Sequence, residues 1–187
     1  MPRLGVVLVS VREGRAGEPI ARWFVERAKG HAGFEIELVD LKAVDLPLLR
    51  ESNHPRQQKY TEPATQSWSR MIAALDAFVF VTPEYNFSMP PSLVNALDHL
   101  YHEWSYKPAG FVSYGGVSGG LRSVQHAKSM MTAFKLVPMV EAVSVHFVAK
   151  ALVDGRFPGG DPYDKQATVM LDEMARWTSA LAALRKA

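Results

Sequence analysis

Ser10, Arg12, Arg15 and Gly17 fall within one short stretch, SVREGRAG, between a valine-rich apolar run and a helix-like segment. These are the residue types of a phosphate-binding turn. A hydroxyl donates one hydrogen bond, and a guanidinium can fork onto two oxygens. Glycines permit tight backbone turns, and the free N–H groups of a helix start attract an anion. The competing reading is a solvated loop with two surface arginines. Two other phosphate motifs are absent. Gly14 and Gly17 do not complete G-x-G-x-x-G, which disfavours a direct dinucleotide fold. Gly115 and Gly120 have the glycine spacing of a P-loop, but Leu121 and Arg122 stand where Lys and Ser or Thr are required.

A second stretch, TPEYNFSMP over residues 82–90, crowds prolines and aromatics among polar side chains. A stiff, partly apolar segment of this kind suits the edge of a planar heterocycle. Backbone groups meet ring heteroatoms, and Tyr85 or Phe87 covers a face. The plainer alternative is a proline-stiffened connection in which Asn86 satisfies its own turn. A third stretch, SYGGVSGGLR over residues 113–122, is rich in glycine.

Each stretch follows a strand signal. Apolar, β-branched runs lie at residues 4–10, 34–39, 76–82, 109–114 and 137–148. Helical spacing follows Glu18-Pro19, with Ile20, Phe24 and Ala28 on one face, and recurs at 61–75, 91–104, 118–134 and 163–184. In the last helix Met170, Met174, Trp177, Leu181 and Leu184 are expected inward, and Arg185-Lys186 forms a basic end favourable to the dipole. Residues 41–60 and 154–162 read as irregular. Alternating strands and helices give a parallel sheet covered on both faces. In such sheets ligands bind beyond the carboxyl ends of the strands, where the winding reverses. The three stretches belong there. With no linker or internal repeat, residues 1–187 are expected to form one domain.

Composition narrows the chemistry. The 187 residues include no cysteine, which excludes disulfides, thiolate metal sites, iron–sulfur clusters and cysteine nucleophiles. A net charge of +2, with basic and acidic residues interleaved, offers no nucleic-acid footprint. No apolar run is long enough for a membrane span, and the start of the chain has no leader pattern. A cytoplasmic protein is expected.

Pro83-Glu84-Tyr85-Asn86, followed by Ser88, Pro90, Leu93, Asn95, Ala96 and Asp98, resembles the P-E-Y-N-x-S-x-P-x-x-L-x-N-A-x-D signature of the NADPH-dependent FMN reductase family, which includes quinone, azo-dye and chromate reductases. The S-x-R-x-G-R-x-G and glycine-rich stretches fall in family order, so the resemblance covers nearly the whole chain. Many members carry Ser or Asn at the start of the first helix, where this chain has Gly17-Glu18. The resemblance implies a flavodoxin-like α/β three-layer sandwich whose five-stranded parallel sheet has the order 2-1-3-4-5. It implies FMN as cofactor and NADPH or NADH as co-substrate. Ser10, Arg12, Arg15 and Gly17 would bind the FMN phosphate. Pro83, Glu84, Tyr85 and Asn86 would line the isoalloxazine ring, with Ser113, Tyr114, Gly115 and Gly116 in the loop closing its other side. A ping-pong reaction follows, with quinone, flavin, azo compound or metal oxyanion as the small-molecule acceptor. The flavin carries the redox chemistry, so no catalytic side chain is named. Members work as homodimers or homotetramers.

Other features carry blander readings. His99, His102 and Glu103 sit at helical spacing but lack a further placed ligand for a metal. An exposed or interfacial helix face suits them, together with Tyr101, Trp104 and Tyr106. His146 reads as a structural strand residue. Arg122, a cation in the first turn of a helix, opposes the dipole, and Glu84 and Asp98 are its candidate partners. Two other classes stay open: a flavodoxin-like electron carrier, and a flavin-free binding or regulatory protein.

Overall fold

The strands that read as continuous apolar runs are buried along almost their whole length. β1 (Arg3–Leu8), β3 (Ala77–Pro83) and β4 (Pro108–Tyr114) occupy the middle of the sheet, with β2 (Glu35–Asp40) and β5 (Val137–Val145) at its edges. The computed structural model describes residues 1–185, leaving Lys186 of the expected basic end outside them. Every pairing is parallel and the order is β2-β1-β3-β4-β5, as the flavodoxin-like reading required. The chain winds outward from β1 to β2 and then returns through β3. The winding therefore reverses between the carboxyl ends of β1 and β3.

The period of two divides the core. Leu4, Val6 and Leu8 join Val79 and Val81 on the face covered by α1 (Gly17–Lys29) and α7 (Tyr163–Arg185). Val7, Phe78, Phe80 and Phe111 lie on the other face, under α3 (Pro63–Ala73), α4 (Pro91–Asp98) and α5 (Leu121–Met131). Trp104 packs edge-on to Phe78 at 5.0 Å and to Trp68 at 6.0 Å in that second core. Each such side chain contributes about 1.5–3 kcal/mol by burial.

Several boundaries differ from expectation. Residues 41–60 contain two short helical pieces. α2 (Leu41–Val44) is started by the Asp40 carboxylate, which accepts from the Lys42 N–H at 3.0 Å. A 3₁₀ turn, Pro55–Gln57, follows His54. The helix expected from residue 118 starts at Leu121, because Gly119 and Gly120 have φ of 59° and 84°. β5 stops at Val145, since Phe147 turns left-handed at φ 47°, and α6 (Val148–Ala151) follows. The helix expected over 91–104 ends at Asp98, and His102–Trp104 is a separate 3₁₀ turn. In α7 the buried face runs Met170, Met174, Thr178, Leu181, so Trp177 and Leu184 are 39% and 50% exposed rather than inward. Among the described residues no helix is long and apolar enough to cross a membrane.

Candidate functional site

The three stretches meet at the reversal point, around a cavity of ≈ 320 Å³. From the loop after β1 it takes Ser10, Arg12 and Arg15; from the loop after β3, Pro83, Glu84 and Tyr85; and from the end of β4, Tyr114, Gly115 and Gly116. A second groove of ≈ 600 Å³ shares residues 12–15 and runs along α1 toward Phe157. Gly17, Asn86 and Ser113 do not line the cavity. Val148, at the start of α6, does line it, and nothing in the sequence signals that.

The loops hold one another. Ser10 Oγ lies 2.9 Å from Tyr85 Oη, tying the first loop to the second, and the Arg12 guanidinium sits 5.9 Å from the Tyr85 ring centroid. The Glu84 carboxylate accepts from Ser118 Oγ at 2.7 Å and from the Arg122 N–H at 3.1 Å, tying the second loop to the third. Burial pushes the Glu84 carboxyl up, but Ser118 and Arg122 donate to it and leave it below its ordinary value. Ser113 is fully buried, and its hydroxyl donates to the Gly119 carbonyl at 2.8 Å, fixing the glycine loop from behind. Gly115 and Gly116 carbonyls accept from Val148 and Phe147 N–H groups, both at 2.9 Å.

Arg15 and Arg12 are placed differently. Arg15 forks onto Asp40 at 2.7 and 2.5 Å and also donates to the Ser10 carbonyl at 2.8 Å, with its side chain only 8% exposed. It fastens the first loop to the end of β2. Burial raises the Asp40 carboxyl, but Arg15 and the α2 amides hold it below its ordinary value. Arg12 is exposed at the mouth. Asn86 and Phe87, at φ 48° and 66°, form the tip of a tight turn in which Tyr85 and Ser88 exchange backbone hydrogen bonds at 2.9 Å. Positive φ at both central residues is the type I′ pattern, for which Asn is suited and Phe is not. Phe87 is 67% exposed, with the Arg122 guanidinium 4.3 Å from its ring centroid.

The local chemistry fits a phosphate-bearing planar group. The N-terminus of α1 has no side-chain cap; Pro19 carries no N–H and the Glu18 N–H reaches back to the Arg15 carbonyl at 3.5 Å, which leaves the Gly17 N–H for an anion. The buried Tyr114 hydroxyl has no partner. A Cβ on Gly14 or Gly116 would meet nothing within 4 Å, so the backbone there borders open space.

The remaining candidates resolve as structure. His99 is 1% exposed, its ring nitrogens 3.0 Å from Thr65 Oγ and from the Pro47 carbonyl. Glu103 is 6% exposed, accepting from Tyr60 and Ser69 hydroxyls, and Trp104 is wholly buried. His102 is exposed and Tyr101 and Tyr106 are partly so, but His99, Glu103 and Trp104 are buried, so the expected single helix face is not formed. Among the described residues there is no metal-binding cluster. His146 lies past β5, exposed, 2.9 Å from the Val117 carbonyl. Of the partners expected for Arg122, Glu84 is the one engaged, at 2.6 Å.

Comparison with known proteins agrees with this geometry. Residues 2–150 match the NADPH-dependent FMN reductase family. An NAD(P)H-dependent FMN reductase of Schizosaccharomyces pombe is 35% identical over 190 residues, covering 100% of this chain and 86% of that protein. A probable NADPH:quinone oxidoreductase of Oryza sativa is 33% identical over 132 residues, covering 68% of this chain and 63% of the relative. FerB of Paracoccus denitrificans, a flavoenzyme NAD(P)H:(acceptor) oxidoreductase, shares the fold at a TM-score of 0.75 and 21% identity, covering 96% of this chain and 98% of its own. With this match, and with Pro83, Glu84 and Tyr85 of the signature lining the cavity, the chain belongs to the NADPH-dependent FMN reductase family, oxidoreductases that use FMN and NAD(P)H.

Proposed function

We propose that this chain passes a hydride equivalent from NADPH or NADH to a small acceptor by a ping-pong route, the nicotinamide leaving before the acceptor enters. The observation that carries the reading is the convergence of three loops on one cavity at the reversal point, with an uncapped helix end at one side. FMN, when bound, supplies the redox chemistry by accepting the hydride and delivering electrons onward. The residues position it. Ser10, Arg12 and the backbone up to Gly17 hold the phosphate, while Arg15 shapes the loop through Asp40. Residues 83–86 and 114–116 border the ring. Their task is to present an open ring face on which a planar partner stacks with reacting atoms about 3–3.5 Å apart. No side-chain acid, base or nucleophile takes part.

Quinones lead the proposed acceptors, ahead of free flavin, azo compounds and metal oxyanions, because a flat partner suits a stacking face and a relative is named a quinone oxidoreductase. A homodimer or homotetramer belongs to the same proposal. Its support is the exposure of apolar side chains on the segments that follow β3, β4 and β5, namely Phe87, Val117, Leu121 and Phe147. The cytoplasm, where reduced nicotinamides are available, is the proposed compartment.

The test is to purify the chain, identify the released chromophore, and vary NADH, NADPH and a benzoquinone. Parallel double-reciprocal lines and FMN as chromophore are expected. A colourless chain that cannot be loaded with FMN, or intersecting lines, would overturn the reading. Sedimentation equilibrium tests assembly, and an active 20.7 kDa monomer would remove that part.

A further inference from the structure

Tyr114 is 4% exposed, and its hydroxyl is the one buried side-chain polar atom without a hydrogen-bond partner among the described residues. Burying a donor unpaired costs stability, and such a group in a native fold calls for a reason. Its position supplies one. A Cβ on Gly17 would lie 2.3 Å from this hydroxyl oxygen and 2.9 Å from the ring carbon that carries it. The hydroxyl therefore rests against the first residue of α1, in the space a side chain at position 17 would fill.

That helix end is short of acceptors. α1 has 13 residues, and Ala16 before it provides no side-chain cap. The Glu18 carboxylate turns to Arg22 at 2.8 Å and reaches Arg15 at 3.8 Å. The Ser10 hydroxyl is engaged with Tyr85, and the Asp40 carboxylate with Arg15. The Glu18 N–H has the Arg15 carbonyl and Pro19 has no N–H, but the Gly17 N–H, the orphan hydroxyl against that residue, and the Arg12 cation that lines the same cavity as Tyr114 are left without a carboxylate. An anion with several oxygens satisfies them together. Burial, and then the neighbouring Tyr85, raise the Tyr114 pKa above its ordinary value against the opposing pull of the nearby Ser10 hydroxyl, Arg15 and Arg12, so the hydroxyl keeps its proton and remains a donor.

We propose that the Tyr114 hydroxyl donates to the FMN phosphate at the N-terminus of α1, so that β4 delivers the contact that a glycine at the helix start cannot make. The assignment rests on the FMN reading above. It moves the Tyr114 side chain from the ring to the phosphate end, leaving its backbone with Gly115 and Gly116 beside the ring.

Tyr114→Phe keeps the ring and its packing and removes the hydroxyl alone. FMN and riboflavin dissociation constants, from quenching of flavin fluorescence by the stripped protein, separate the phosphate from the ring. The variant should bind FMN about ten- to a hundredfold more weakly, the scale of a charge-assisted hydrogen bond. It should bind riboflavin as the parent does, and the bound FMN phosphorus resonance should shift. Its flavin-free thermal midpoint should be equal or higher, since no protein hydrogen bond is lost. Unchanged FMN affinity would overturn the assignment. So would an equal loss for both flavins, or a flavin-free variant that unfolds earlier or fails to fold, because the hydroxyl would then serve the ring or the protein. A parent chain that does not prefer FMN to riboflavin would overturn the phosphate reading itself. A parent that keeps the preference beside an unaffected variant would overturn the role of Tyr114 alone.

Discussion

Glu84 binds both ends of Arg122, accepting from its backbone N–H at 3.1 Å and from its guanidinium at 2.6 Å. The two residues are unequal partners. The Glu84 side chain is 8% exposed and that of Arg122 45%. Losing Arg122 leaves the carboxylate with Ser118 and the first turn of α5, whose dipole favours an anion. Losing Glu84 strips a hydroxyl, a helix N–H and a guanidinium at once. Arg122→Ala should therefore cost at most about 1 kcal/mol, as exposed ion pairs do. Glu84→Ala should cost about 1–3 kcal/mol. Urea unfolding of the stripped proteins checks the order, and the reverse order would remove Glu84 as the tie between loops.

The same carboxylate sets a pH dependence. Its folded pKa lies below the ordinary 4.5, so its contribution is fully present above that value and is lost as pH falls through the folded pKa. Stability of the parent minus that of Glu84→Gln should hold steady from neutral pH to about 5 and shrink below it. A difference that grows on acidification would mean that the carboxyl is held protonated instead.

Arg12 and Arg15 separate by their partners. Arg12 is exposed beside the cavity, so Arg12→Ala should weaken FMN about ten- to a hundredfold and leave riboflavin affinity and flavin-free stability near the parent values. Arg15 is fastened to Asp40 and the Ser10 carbonyl. Arg15→Ala leaves the half-buried Asp40 carboxylate with the α2 amides alone and should cost about 1–3 kcal/mol of flavin-free stability, with both flavins weakened because the loop loosens. Equal behaviour of the two variants in both assays would refute this division.

The sheet was legible because its central strands are buried on both faces, and a run such as AFVFVT at residues 77–82 admits little else. The site's location followed from the winding rule, and residues 83–86 stood out by proline and aromatic crowding. What stayed hidden depends on contacts between distant segments. The spacing of Arg12 and Arg15 makes them look equivalent, and the difference comes from Asp40, which reaches Arg15 only after β2 pairs with β1. His99 and Glu103 fit one exposed helix face, but His99 is covered by Thr65 and Pro47 from distant segments, and Tyr101, at φ −137° and ψ −67°, breaks the helix so that Glu103 turns inward. Val148 could not be placed beside the cavity, because Val and His are as much at home in a strand as in the turn that ends β5 at Val145.

Glu103 should matter for stability and not for the cofactor. It is 6% exposed and accepts from Tyr60 Oη at 3.0 and 3.1 Å, Ser69 Oγ at 2.7 Å and the Tyr101 N–H at 3.3 Å. Burial and the facing carboxylate both push the Tyr60 pKa up, keeping that hydroxyl a donor. An amide replaces one accepting oxygen with a donor, so Glu103→Gln should cost about 1–3 kcal/mol. The residue precedes β4 at the amino end of the sheet, opposite the cavity. FMN affinity of the variant should match the parent's, and a flavin-specific defect without lost stability would contradict this placement.

Gly120 and Gly116 stand four residues apart, and alanine should divide their roles. At Gly120, φ is 84°, and a Cβ would lie 2.8 Å from both the N and the O of Tyr114. Those neighbours are the backbone of a central strand, and they cannot move aside. Gly120→Ala should cost about 1–3 kcal/mol or more through strain alone, with flavin binding lost as a consequence. At Gly116 a Cβ would meet nothing within 4 Å, and φ is not positive. Removing a glycine there trims the freedom of the unfolded chain, so Gly116→Ala should leave flavin-free stability unchanged or raised by about 0.4–1 kcal/mol. The open space beside Gly116 lies in the cavity that the flavin ring would fill, so the added methyl should weaken FMN and riboflavin together. Thermal midpoints of the stripped proteins, with FMN and riboflavin titrations of each variant, separate the two roles. If Gly116→Ala binds both flavins as the parent does, the ring does not lie against this loop. If it unfolds earlier than the parent, the space beside Gly116 is not open.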